Sequence, residues 1–208
     1  PGGQAIITNN QIMFNRSGSG LQSLILSPEG FFGIFCWTDA NDNLISKNKV
    51  YNCGSNTSTY NTNVRLHGIG VGVHGSTLAQ TGIIDGNEIS YIFNENPGDN
   101  TNATSRNPII YGLDLANGDW TVSNNTIYLN NGTLGGSLIT NTNTSIRALN
   151  DGMLYDVANC AARYYHNTVY VSGSNTTGAG TANSTYAFLR MPIDYGIPAI
   201  TAGASTEL

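Results

Sequence analysis

Apolar residues in this chain fall into columns that flank a repeated asparagine. The unit Asn-x-Ile/Val occurs five times, at Asn10-Gln11-Ile12, Asn48-Lys49-Val50, Asn87-Glu88-Ile89, Asn125-Thr126-Ile127 and Asn167-Thr168-Val169, at intervals of 38, 39, 38 and 42 residues. Three residues before each Asn lie Ile7, Ile45, Ile84, Val122 and Tyr164, and two after it lie Ile12, Val50, Ile89, Ile127 and Val169. A period of this size predicts a solenoid, in which one coil buries its apolar face only against the next. An Asn placed by chance would not stand two residues ahead of Ile or Val in all five units. The pattern predicts a strand, a tight bend and a second strand. The Asn is expected to take the left-handed conformation of the bend and to bond its amide to the same amide in the coils above and below.

A second recurring unit sets a small residue before an apolar one: Gly33-Ile34, Gly68-Ile69, Gly112-Leu113, Ala148-Leu149 and Ala187-Phe188. It predicts a third short strand, and so three sheets per turn. The position ahead of the small residue holds Phe32, His67, Tyr111, Arg147 and Tyr186, and the pattern leaves their direction open. Long polar inserts follow the Asn strand, at Cys53 to Asn63, Glu95 to Asn107, Asn130 to Ser145 and Gly173 to Thr185. None has helical periodicity, so they are expected to be loops stacked along one corner. The best helix candidate, Asp151 to Tyr165, carries Gly152, Asn159 and a poor apolar stripe.

Composition sharpens this picture. Only 10% of the 208 residues are charged, against about 25% in an average soluble domain, so polarity comes from amides and hydroxyls. The net charge is −5, and the eight Lys and Arg form no basic stripe, which argues against nucleic acid as a partner. No apolar run approaches a membrane span. The start, Pro1-Gly2-Gly3-Gln4, reads as neither an initiator Met nor a signal peptide. One domain over residues 1–208 is expected. Cys36, Cys53 and Cys160 have no metal-ligand spacing and read as small buried hydrophobes; a Cys36–Cys53 disulfide would need a proximity that spacing does not establish.

Segments such as Val122-Ser123-Asn124-Asn125-Thr126-Ile127-Tyr128-Leu129 and Tyr165-His166-Asn167-Thr168-Val169-Tyr170-Val171 resemble repeats of the pectate-lyase-like superfamily. More narrowly they look like the Asn-Asn-Thr-Ile-Tyr repeats of large secreted Bacteroidota surface proteins. The resemblance covers roughly Ile6 to Arg190. It implies an all-β, right-handed parallel β-helix solenoid of about five coils of roughly 39 residues, with long polar loops at one corner. It also implies an extracellular or cell-surface location. Neither a capping helix nor a sorting domain is recognised at the ends, so the chain is expected to be a segment of a longer repeat protein or to stack end to end.

Enzymes of this fold hold carboxylates in one column on adjacent coils, with an Arg or Lys as base, or set two carboxylates at a defined gap. The nearest approach here is Asp114 and Asp151, which are off by one position and expected on opposite faces, with Arg147 near Asp151. These three are the weak catalytic candidates. No metal site and no cofactor are expected, because His67, His74 and His166 sit at different coil positions and the glycine-rich run around His67 lacks Gly-Lys-Ser/Thr.

Two outward columns flank the ladder formed by Asn10, Asn48, Asn87, Asn125 and Asn167. One reads Gln11, Lys49, Glu88, Thr126, Thr168, in which Lys49 and Glu88 can pair. The other reads Met13, Tyr51, Ser90, Tyr128, Tyr170, either a sugar-stacking or partner-docking strip, or β-favouring residues that stack on one another. The expected function is a non-enzymatic structural or adhesive module of a surface fibre that presents its loop edge to a partner or glycan. The alternative is a carbohydrate-active enzyme on the same fold. An ice-binding array would need more than the single Thr140-Asn141-Thr142-Asn143-Thr144 run.

Overall fold

In the computed structural model the described residues are 4–13, 32–55, 65–72, 80–94, 109–130, 145–152, 160–172 and 185–190. All their regular elements are strands: β1 (Ile6–Thr8), β2 (Gln11–Met13), β3 (Phe32–Cys36), β4 (Asn43–Ser46), β5 (Lys49–Ser55), β6 (Arg65–Val71), β7 (Thr81–Asp85), β8 (Glu88–Asn94), β9 (Ile109–Leu115), β10 (Asp119–Ser123), β11 (Thr126–Asn130), β12 (Ser145–Asp151), β13 (Ala161–Tyr165), β14 (Thr168–Ser172) and β15 (Thr185–Arg190). Every third strand joins the same sheet. The first sheet runs β1-β4-β7-β10-β13, the second β2-β5-β8-β11-β14 and the third β3-β6-β9-β12-β15. Pairing is parallel throughout, which is the arrangement of a parallel β-solenoid.

Register follows the apolar columns. Ile45 lies beside Ile7 and Ile84, and Val122 beside Ile84 and Tyr164. Ile89 lies beside Val50 and Ile127, and Leu113 beside Ile69 and Leu149. The middle members of these columns are wholly buried and form one continuous core through all three sheets. Large and small residues interlock within it. Trp120 is fully buried over Gly82, where a Cβ would meet the indole ring and come within 2.6 Å of the Asn43 carbonyl. Its Nε1 donates to the Asn117 carbonyl at 2.9 Å, which satisfies the one polar atom of the ring.

The bend between the first and second sheets is built differently from the expectation. The left-handed residue is the one before each ladder asparagine: Asn9, Lys47, Gly86, Asn124 and His166 all have φ between 53 and 65°. The ladder asparagines are absent from the positive-φ positions. Their side chains are needed inside the corner, so the neighbour takes the strained turn. That strain costs roughly 1–2 kcal/mol for a residue other than glycine. It is offset because Asn9, Lys47, Gly86 and Asn124 each donate their N–H to the next coil, as Lys47 does to Asp85 O at 3.0 Å and Asn124 to Tyr165 O at 3.0 Å.

The third sheet bends at its small-residue column. Its ladder pairs Tyr111 with His67 and Arg147, and Leu113 with Ile69 and Leu149, but passes over Gly68, Gly112 and Ala148. A Cβ on Gly68 would stand 2.6 Å from Ile89 Cγ2 and 2.7 Å from Gly112 O. Only a small residue lets consecutive coils approach this closely.

Several expectations change here. Cys53, Gly54 and Ser55 belong to β5, not to a polar insert. The helix candidate gives strand at its described ends, Asp151 in β12 and Ala161–Tyr165 in β13; residues 153–159 lie outside the described residues. Asn130 closes β11, Ser145 opens β12 and Thr185 opens β15, and the rest of the inserts, with Thr140 to Thr144 and His74, lies outside the described residues. No disulfide joins Cys36, Cys53 or Cys160; Cys36 and Cys53 are buried, and burial pushes the Cys36 thiol pKa up. Among the described residues no helix is long and apolar enough to cross a membrane.

Candidate functional site

The asparagine corner is a closed hydrogen-bond network. Asn48 donates its backbone N–H and its Nδ2 to Asn87 Oδ1, both at 3.0 Å, and its Nδ2 also donates to Ile7 O at 2.8 Å. Asn87 repeats this with Asn125 Oδ1 at 2.9 and 2.9 Å and Ile45 O at 2.9 Å. Asn125 repeats it with Asn167 Oδ1 at 3.0 and 2.9 Å and Ile84 O at 2.9 Å. Each interior amide thus makes two donor and two acceptor bonds, the full capacity that its oxygen and NH2 offer inside the chain. Nothing is left over to hold a ligand.

On the outer face of the second sheet a tyrosine strip runs from Tyr91 through Tyr128 to Tyr170. Tyr128 and Tyr170 stack with centroids 4.9 Å apart and planes 7° from parallel. The Ser90 position, a gap in the sequence pattern, is filled from next door. β8 bulges so that Tyr91, at φ 54°, is passed over by the ladder while its ring meets Tyr128 edge-on at 5.8 Å. Tyr51 lies under Lys49 Nζ at 5.5 Å, and Lys49 pairs with Glu88 at 3.0 Å. Met13 stands in register beside Tyr51. Tyr128 and Tyr170 spend a ring face on each other, and a sugar docks on a free face. That packing is what stacked β-formers would give.

The first sheet carries an open depression of about 410 Å³ whose lining includes Asp42, Leu44, Thr81, Ile83, Asp119 and Thr121. Its polar groups serve neighbouring coils. Thr81 Oγ1 accepts from Asp42 N at 2.9 Å, and Arg163 holds the Asp119 carboxylate at 2.5 and 3.4 Å. Beside it, Ser123 Oγ and Asn124 Nδ2 donate to Asp85 at 2.7 and 2.8 Å, and these bonds hold the Asp85 pKa below its ordinary value.

The third sheet differs. The column Phe32, His67, Tyr111, Arg147, Tyr186 is in register, and contacts to the Tyr111 ring put His67, Tyr111 and Arg147 on one side of the sheet. His67 stacks on Tyr111 at 4.6 Å and 17°, and Arg147 lies across the same ring at 5.6 Å with its Nη1 3.5 Å from the hydroxyl. His67 Nδ1 is 3.1 Å from Asp114 Oδ2, and Asn150 Nδ2 donates to Asp114 Oδ1 at 2.7 Å. The His67 and Asp114 side chains are 0% and 4% exposed.

This cluster includes two of the three catalytic candidates and separates them from the third. Asp114 is in register with Asn150, whereas Asp151 is in register with Leu115, a core position. Asp151 is fully buried, with Arg190 Nε 3.8 Å away. His67 was missed as the neighbour of Asp114, because strict alternation sets residues 111 and 114 on opposite faces. The bend at Gly112 brings both to His67. The shared offset of His67 and Tyr111 ahead of their glycines was the available signal. Among the described residues no group of three or more His, Cys, Asp or Glu could hold a metal ion. No family model, curated protein or solved structure matches this chain.

Proposed function

We propose that this chain is a right-handed parallel β-helix of about five coils, each of roughly 39 residues, and that it is a non-enzymatic structural or adhesive module. It belongs to a large extracellular or cell-surface fibre and presents its loop edge to a partner or glycan. The observation that carries this reading is where the outward polar groups go. Lys49 pairs with Glu88, Arg163 with Asp119, Ser123 with Asp85 and Tyr128 with Tyr170, each time between coils. Side chains spent on stitching coils together resist bending of a rod and leave little to converge on a substrate.

The buried His67–Asp114 pair beside Tyr111 and Arg147 favours a second reading, a carbohydrate-active enzyme of the same fold. One experiment separates them. The protein is incubated with acidic and neutral polysaccharides, and new reducing ends and unsaturated-uronate absorbance are followed, alongside glycan-array binding. The structural reading expects no cleavage. Cleavage that disappears in His67→Ala, with the fold retained by circular dichroism, would replace it with the enzymatic one.

A further inference from the structure

We propose that Arg147, on the third sheet, is a docking point for a carboxylate side chain of a partner protein, presented by a segment rich in Asp or Glu. The contact concerns a sheet face, goes beyond the loop-edge presentation proposed above, and does not depend on it.

Cations elsewhere on this chain have acids to meet. Lys49 lies 3.0 Å from Glu88, Arg163 2.5 Å from Asp119 and Arg190 3.8 Å from Asp151, and Lys47 is close enough to Asp85 to help lower its pKa. Arg147 makes no ion pair with a carboxylate among the described residues. The acid nearest in its own cluster, Asp114, is turned to other groups: Oδ2 is 3.1 Å from His67 Nδ1, and Oδ1 accepts from Asn150 Nδ2 at 2.7 Å. The guanidinium rests instead on the Tyr111 ring, its Cζ 5.6 Å from the centroid, with Nη1 3.5 Å from the phenol oxygen, the long limit of a hydrogen bond. Its Nε is enclosed and has no hydrogen-bond partner. The fold thus holds a partly buried cation with most of its donors unmet. That arrangement costs free energy, which an incoming carboxylate would return.

The chemistry of the site selects the partner. A guanidinium offers a planar fork of donors that meets a carboxylate in two parallel bonds, which an ammonium cannot do. The ring beneath it is taken on both sides, since His67 and Arg147 come to Tyr111 from the coils before and after it. It offers a sugar no free face to stack on. Recognition therefore falls to the charge, and Arg beside Tyr is a combination that dominates binding energy at protein interfaces. Tyr186 stands in register on the other side of Arg147 and extends the combination. The chain carries a net charge of −5, so an acidic partner is not drawn by the overall field and must be held by a local cation.

The test follows the Nε–Hε resonance of Arg147 by NMR in the full chain at fixed ionic strength, assigned by its absence in Arg147→Gln. The probes are hexaglutamate, hexaglutamine, acetate and polygalacturonate. The expected result is a saturable shift with hexaglutamate and none with hexaglutamine. Affinity should fall roughly tenfold or more in Arg147→Gln and in Arg147→Lys, and stay unchanged in Arg163→Gln, whose cation already has its acid. If Arg147→Gln fails to fold by circular dichroism, Arg147→Lys replaces it, because it keeps the charge and removes only the fork. No saturable shift up to the solubility limit of hexaglutamate overturns the proposal, and so does an equal loss in Arg163→Gln. Polygalacturonate that displaces the peptide at a lower carboxylate concentration would overturn it in favour of an acidic glycan. Acetate that saturates the site at the same carboxylate concentration as the peptide would overturn it in favour of a small free acid.

Discussion

The asparagine corner and the His67–Tyr111–Arg147 column of the third sheet are each built from one residue per coil, yet they solve opposite problems. At the corner the same residue recurs, so each amide meets an identical amide and every donor has an acceptor one coil on. On the third sheet the column changes from His67 to Tyr111 to Arg147, so contacts are between unlike groups and are specific to one pair of coils. Repetition gives a network that can be extended without limit. Variation gives a local cluster that occurs once. In a solenoid the first kind of column carries stability along the rod, and the second is where a coil acquires individual character.

The comparison can be broken at its strongest point first. Ile127→Asp places an unpaired charge in the apolar column beside the ladder and is expected to unfold at least its own coil, a loss of several kcal/mol. A thermal melt that matches the unaltered protein would show that the column does not carry the core.

Removing a ladder amide comes next. Asn87→Ala and Asn125→Ala each strip partners from two buried donors of the preceding coil and from one carbonyl, so each should lose roughly 3 kcal/mol in urea unfolding, and the two losses should agree. The contrasting pair is His67→Ala and Arg147→Ala, which occupy one column but are fully buried and only partly buried respectively. They should differ from each other, with His67→Ala the worse. Equal losses on the third sheet, or unequal ones at the corner, would remove the distinction.

A gain is expected from Lys47→Gly. The side chain sits at φ 54° in the turn before Asn48, and glycine at the matching Gly86 already holds that conformation. Relief of the left-handed strain should raise stability by about 1 kcal/mol, read as a higher urea midpoint. The smallest effect concerns pH. Ser123 and Asn124 hold Asp85 below its ordinary 3.8 in the folded chain only, so its contribution is present above that value and is lost as pH falls through the folded pKa. In acid titrations below about pH 4, Asp85→Asn should show a shallower loss of stability than the unaltered protein.

Most of the architecture was legible because it repeats. A side chain that recurs at a fixed interval must meet its own copy when coils stack, so Ile45 beside Ile84 and Lys49 beside Glu88 follow from spacing alone. What was illegible depends on local departures from strict alternation. Tyr91 enters the tyrosine strip only because β8 bulges, and Asp114 reaches His67 only because β9 bends at Gly112. The left-handed turn residue was placed one position too late for a related reason. Asparagine tolerates that conformation, but the ladder demands its amide more strongly.

By itself, then, the sequence determined the repeat, its columns, the three strands of each coil and the asparagine stack, because these are set by composition at fixed spacing. Only the tertiary structure decided which residue strains at each turn, where a strand bulges, and which unlike side chains share a face. Those choices depend on how closely neighbouring coils approach, and closeness is a property of the packed stack and not of any one coil.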